Sequence, residues 1–263
     1  MSRFGDAIAI RRLAEGRYAV DLDGGFAIGQ ALNGGYLLAV MGRAAVDVSP
    51  HAHPVSTAAA FMRMTTAGPA EIVVEPRKTG RTAATSLVSL VRDGQTMVEA
   101  LVTTGTLDPE TEPAWAGEPP APQLPPIEEC VGSSDPGGDR GFADQVAMRF
   151  DPRTMGWLDG QPSGRPEVRG WFEFADPYPP DAYSLAVAVD ALPPVVLNLG
   201  ARGWAPTVEL TWHMRAVPAP GPLALHGSGR LVTGGWFDEE VEVWDSAGRL
   251  VAQSRQIARV GRS

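Results

Sequence analysis

The sequence predicts an α+β fold in which an apolar helix wrapped by antiparallel strands occurs twice in one chain, and three observations carry that prediction. First, Val55–Leu107 and Thr207–Val260 repeat one pattern. Phe61-Met62-Arg63 aligns with His213-Met214-Arg215, the Ala-Gly-Pro turn at 67–69 with Pro-Gly-Pro at 220–222, and Asp93-Gly94 with Ala247-Gly248, at an offset of about 152 to 154 residues. A repeat that long marks a duplicated domain and not a short solenoid unit. Second, a run of helix formers precedes each stretch. Third, the residues after each helix form short runs separated by glycine turns such as RDGQ and SAGR, as expected of hairpin-connected strands. One helix followed by a run of strands, taken twice, points away from a parallel doubly wound sheet.

Along the chain, the N-terminal MSRFGDAIAIRRLAEG lacks the sustained apolar stretch of a secretion signal, and no apolar run reaches membrane-span length. The first helix is expected over Asn33–Val46, opening on Gly34-Gly35. The second is expected over Asp181–Leu192, with Asp181 as N-cap after Pro179-Pro180 and with Pro193-Pro194 as the stop. Between the halves, Leu107–Arg140 is rich in proline, acid and glycine and reads as a linker or a long crossing connection. The expected division is a first domain over 1–107, a linker over 108–140 and a second domain over 141–263.

Composition narrows the function. At 263 residues and 44% hydrophobic content, the chain can bury one large core or two ordinary ones. A net charge of -9 argues against nucleic acid or an anionic membrane surface as partner. Cys130 is the single cysteine, so no intramolecular disulfide forms and a reducing, cytoplasmic compartment is the simplest expectation. Its neighbours Glu128 and Glu129 would raise a thiol pKa, which argues against a nucleophile.

Polar residues set into apolar surroundings are the candidates for chemistry. Asp190 interrupts SLAVAVDALPPVV in the expected last turn of the second helix, where a carboxylate opposes the negative end of the helix dipole. An exposed Asp paired with Arg202 is the competing reading. Gln256 alternates with the arginines of LVAQSRQIARV and so faces inward, where a buried amide needs a partner; a bond to backbone would suffice. Thr207 opens TVELTWHMR and alternates with Glu209, Thr211, His213 and Arg215, on the more polar face. His51 and His53 read as exposed loop residues, spaced too closely and without acidic or thiol neighbours for a zinc site; no metal is expected. Arg63, Arg77, Lys78 and Arg81 would meet phosphates or simply form a solvated face.

These residues resemble the acyl-CoA thioesterase II (TesB-like) family, the double hot-dog thioesterases, over roughly Phe26–Leu107 and Asp181–Val260. The helix start Leu32-Asn33-Gly34-Gly35-Tyr36-Leu37-Leu38 is similar to the family's, as are Ser56 and Phe61-Met62-Arg63 of the following strand. Asp190, Thr207 of TVELTWH and Gln256 of LVAQSRQ stand where the family has three side chains that orient a water for attack on an acyl-CoA thioester. The resemblance therefore implies a double hot-dog fold, hydrolysis of acyl-CoA to fatty acid and CoA, catalytic Asp190, Thr207 and Gln256, and no cofactor beyond the coenzyme A of the substrate. The chain departs from the family at Tyr36, Val55, Ala58 and Glu209-Leu210-Thr211.

Water-mediated hydrolysis also needs donors for the developing oxyanion, and N–H groups at Gly34 and Gly35 are the candidates, against the alternative of a merely tight helix entry. Valine at 102, the counterpart of Gln256, implies one site per chain. Two alternatives stay open: a catalytically weak acyl-CoA-binding protein, and a double hot-dog dehydratase or hydratase, for which the His51 and His53 spacing is wrong. A monomer or homodimer of such units is compatible with the pattern.

Overall fold

The first-half helix begins where a side chain can cap it. In the computed structural model, which describes residues 2–117, 121–132 and 141–261, it spans Gly34–Asp47, and Asn33 Oδ1 accepts the Tyr36 N–H at 2.9 Å. Such a cap is worth about 1 kcal/mol. Gly35 to Gly42 are all buried, so the helix has no polar stripe and runs as the axis of its half. Around it, in spatial order, lie strands Arg17–Leu22, Gly68–Thr79, Ala84–Arg92, Gln95–Gly105 and His53–Phe61. Val88, Leu90, Val98, Ala100 and Val102 are among the buried side chains they supply.

The second half repeats the plan. Asp181 and Ser184 form a reciprocal capping box at the start of helix Ala182–Ala188: Asp181 Oδ1 accepts the Ser184 N–H at 2.8 Å and Ser184 Oγ accepts the Asp181 N–H at 2.7 Å. Strands Thr207–Met214, Leu250–Arg259, Trp236–Trp244, Leu223–Ser228 and Glu167–Phe172 follow in spatial order. The halves join where His53–Phe61 pairs antiparallel with Thr207–Met214, Ala60 opposite Glu209 and Ser56 opposite His213. These are equivalent strands of the two halves, so the pairing makes one antiparallel sheet, 14-stranded among the described residues. The architecture is the double hot-dog of an α+β chain.

Three expectations need correction. The second helix stops at Ala188 and not at Leu192. Beyond it the bonds shorten to the i−3 type, with Asp190 N–H donating to Val187 O and Ala191 N–H to Ala188 O. There the Asp190 carbonyl accepts Asn33 Nδ2–H at 2.9 Å, a tertiary bond that competes with helix continuation. His51 is buried, 8% exposed, with Nε2 against the Gly80 carbonyl at 3.0 Å, and His53 is half-buried with Nδ1 accepting the Leu107 N–H at 3.0 Å. Both fasten strand ends, which is why they are not free loop residues. Thr207 departs from simple alternation, as described below. Of the connection expected over 108–140, residues 118–120 and 133–140 lie outside the described residues. Its described part contributes Val131–Gly132, paired with Arg149–Phe150, and the Pro125 carbonyl that accepts Trp171 Nε1–H at 3.0 Å. Burial, followed by Asp151 and the two glutamates, pushes the Cys130 thiol up.

The helices touch at their opposing ends. A Cβ on Gly35 would lie 2.9 Å from Val187 Cα and 3.1 Å from Asp190 Cβ, so this crossing requires glycine. At the other end, the Arg43 guanidinium lies over the Tyr183 ring, 5.7 Å from its centroid. Gly35→Ala is expected to cost about 1–3 kcal/mol of unfolding free energy by overpacking. An unchanged urea midpoint would show that the crossing is looser than described.

Candidate active site

Where the first-half helix starts, the end of the second comes to meet it. Asp190 Oδ2 accepts the Gly35 N–H at 2.8 Å and Asn33 Nδ2–H at 3.1 Å. Among the described residues no arginine pairs with it, so the competing reading of an exposed Asp answering Arg202 does not hold. The dipole reading is also reversed. Asp190 lies past the end of its own helix and binds the positive N-terminus of the other, where a carboxylate gains about 0.3–1 kcal/mol. The same bond corrects the expectation for the glycines. The Gly35 N–H is not free for a thioester oxygen, because it holds the carboxylate. Both glycines admit close approach, since a Cβ on Gly34 would lie 2.9 Å from Asp190 Oδ2 and from Phe61 Cζ. Tyr36, one of the departures from the family, is fully buried, stacked on Phe26, and its hydroxyl donates to the Ala7 carbonyl at 2.9 Å.

Thr207 and Gln256 are brought together by a β-bulge. Thr207 pairs with Ala258 and Glu209 with Ile257, so Val208 is an extra residue in its strand. The bulge turns Thr207 away from the face of Glu209 and onto the inner face of Leu210, Gln256 and Ala258. This overturns the alternation that placed Thr207 with Glu209 and Thr211. Thr207 Oγ1–H donates to Gln256 Oε1 at 2.7 Å. Gln256 faces inward as expected, but its partners are side chains and not backbone: Nε2–H donates to Glu239 Oε1 at 2.9 Å.

Glu239 was not singled out from the sequence, although a signal was present. In WFDEEVEVW it alternates with Phe237, Val241 and Val243, an apolar face on which a carboxyl stands alone. It is 2% exposed, and its Oε2 accepts the Val195 N–H at 2.8 Å.

Asp190, Thr207, Glu239 and Gln256 all line one cavity of about 920 Å³. Its apolar walls come from both halves, including Phe61, Met62 and Met64 of the first and Phe142, Met155 and Trp157 of the second. Arg63 lies at this cavity and donates to the Thr96 carbonyl at 2.8 Å; Arg77, Lys78, Arg81, His51 and His53 do not line it. Burial pushes the Asp190 carboxyl up to about 6, against the opposing pull of the Gly35 and Gly34 N–H groups and the Asn33 amide. Burial also pushes Glu239 up to about 8, and the charge of Asp190 adds to the shift. Of the two carboxyls in the cavity, Asp190 is therefore the more acidic, and Glu239 holds its proton to higher pH.

Sequence comparison meets this geometry. The acyl-CoA thioesterase N-terminal domain model matches residues 22–105 and the acyl-CoA thioesterase C-terminal domain model matches residues 123–260. The chain belongs to the acyl-CoA thioesterase family. Among solved structures, this family member is similar to a candidate thioesterase II from Thermobifida fusca, at 46% identity over 100% of this chain and 98% of that one, with a TM-score of 0.93. The acyl-CoA thioesterase II TesB2 of Mycobacterium marinum shares the fold at 19% identity, 99% and 98% coverage and a TM-score of 0.71. An uncharacterised protein of Mycobacterium tuberculosis is 31% identical, over 91% of this chain and 89% of that protein. Among the described residues no helix is long and apolar enough to cross a membrane.

The two raised carboxyls make stability depend on pH. Folding tightens proton binding at both, so their contribution is fully present below the unfolded values of 3.8 and 4.5. It is lost as pH rises through about 6 for Asp190 and about 8 for Glu239. Urea unfolding should show Glu239→Gln flattening the upper part of this decline. Parallel pH curves for wild type and variant would mean that Glu239 is not shifted.

Proposed function

We propose that the chain hydrolyses acyl-CoA thioesters to a free carboxylic acid and coenzyme A. The observation that carries this reading is the convergence, in one apolar cavity, of a carboxylate held at a helix N-terminus with a hydrogen-bonded threonine–glutamine pair. A water bound between them donates to acceptors at Asp190 and Thr207 Oγ1. Asp190 takes a proton as the water oxygen bonds to the thioester carbon. The C–S bond then breaks, and the proton passes to the departing sulfur. A carboxyl raised to about 6 suits that role near neutral pH, being ionised yet basic.

The walls support an acyl chain as the bound group, and coenzyme A enters as part of the substrate. The Gly35 N–H is engaged by Asp190 and the Gly34 N–H also acts on that carboxyl, so the second Gln256 hydrogen is the donor this reading assigns to the thioester oxygen. Membership of the thioesterase family supports the reaction class. His51 and His53 stand away from the cavity, which weighs against a histidine-based dehydratase.

Incubation with acyl-CoAs of graded length and a thiol-trapping reagent should release free CoA. Asp190→Asn, which keeps an oxygen for the Gly35 N–H, should fold normally and lose about 10²- to 10⁴-fold in kcat. Binding without CoA release at any length would leave an acyl-CoA-binding protein, and hydration of an enoyl-CoA would favour the dehydratase class. In wild type, kcat should rise with pH through an apparent pKa near 6, as Asp190 loses its proton. A rate independent of pH between 5 and 7 would remove Asp190 as the base.

A further inference from the structure

Glu239 sits directly across the strand pair from Gln256, and its two oxygens serve two separate elements. Oε2 accepts the Val195 N–H of the turn that follows the second helix, and Oε1 accepts Gln256 Nε2–H. That second bond fixes which way round the Gln256 amide lies. With Nε2 on the carboxyl, Oε1 must face Thr207, whose hydroxyl proton is thereby engaged at 2.7 Å. Thr207 Oγ1 is left as an acceptor, and Gln256 keeps one free N–H donor. We propose that Glu239 is a positioning residue that sets the hydrogen-bond polarity of the Gln256–Thr207 pair, so that the pair receives the attacking water in the orientation Asp190 needs. This role rests on the thioester-hydrolysis reading.

The buried Val195 N–H needs one acceptor here, and the second oxygen of the carboxyl goes beyond that structural need. Phe237, Val241 and Val243 share its face, and an apolar side chain would avoid the cost of burying it. Asp190 is the charged group that acts on it from within the cavity. Asp238, Glu240 and Arg255 belong to the opposite face, where Arg255 lies 3.9 Å from Asp238 and 3.8 Å from Glu240. Ionised, the carboxyl provides two acceptors at one point; protonated, it keeps two only while its own proton points away from both Val195 and Gln256. An amide provides only one.

Glu239→Gln tests this. The introduced amide cannot accept from both Val195 and Gln256, so Gln256 turns end for end and the Thr207 proton swings toward the cavity. The expected result is a fall of about 10²-fold in kcat, with KM for the acyl-CoA nearly unchanged. Combining Glu239→Gln with Gln256→Glu puts the carboxylate beside Thr207 and the amide behind it, so the threonine proton again has an acceptor. This double variant should turn over faster than Gln256→Glu alone, a rescue that a merely structural role does not produce. Wild-type kcat in Glu239→Gln, an effect confined to KM, or losses that multiply in the double variant would each overturn the role of Glu239 while leaving hydrolysis intact. If Glu239→Gln does not fold, the double variant against Gln256→Glu alone decides: a higher kcat supports the role and an equal or lower one overturns it. A wild type that releases no CoA from any acyl-CoA sinks the reaction itself, and this role with it.

Discussion

The bond from the Gly35 N–H to Asp190 Oδ2 joins residues 155 positions apart and is the contact on which the site depends. It places the free end of one helix on the positive end of the other. It also needs the two helices close enough that only glycine fits at 35. Without the second half the first helix would lose an acceptor at its N-terminus, and without the first half Asp190 would be a carboxylate with no donor in an apolar turn. Neither half holds the site alone, and the seam between His53–Phe61 and Thr207–Met214 sets the distance across which the two meet.

The cavity shows how two carboxyls share a small volume. Asp190 is served by N–H donors and stays the more acidic; Glu239 is deeper, has the neighbouring charge against it, and holds its proton to higher pH. The split follows from where each sits and from which donors reach it, and both side chains are ordinary in kind. An interior with one net charge is far easier to sustain than one with two, and the apolar walls make the difference larger.

Much of the fold was legible in the sequence because duplication made it visible twice. Matching turns and Phe61-Met62-Arg63 against His213-Met214-Arg215 gave two equivalent halves, and Gly34-Gly35 and the Asp181 cap marked the two helix starts. Gln256 was legible because its strand alternates without a break in that stretch. Thr207 was misplaced because the extra residue at Val208 is a backbone event with no side-chain signature. Asp190 was given the wrong end of a dipole because its partner helix lies far away in sequence. His51 was read as exposed because the carbonyl of Gly80 that holds it comes from another strand end. Glu239 was overlooked, although alternation alone sets it among Phe237, Val241 and Val243.

The bulge that turns Thr207 inward has a twin. In the first half the register between His53–Phe61 and Gln95–Gly105 slips between Pro54 and Ser56, at the equivalent place. The residue set there is Pro54, with Val102 and Ser86 where the second half has Gln256 and Glu239. At the matching end of the helix pair, Arg43 stacked on Tyr183 occupies the place of the carboxylate and the glycine. The backbone device is thus present in both halves, while the polar side chains gathered at it stand in one. In the other, a proline, a valine and a serine leave the same bend in the shared sheet as shape alone.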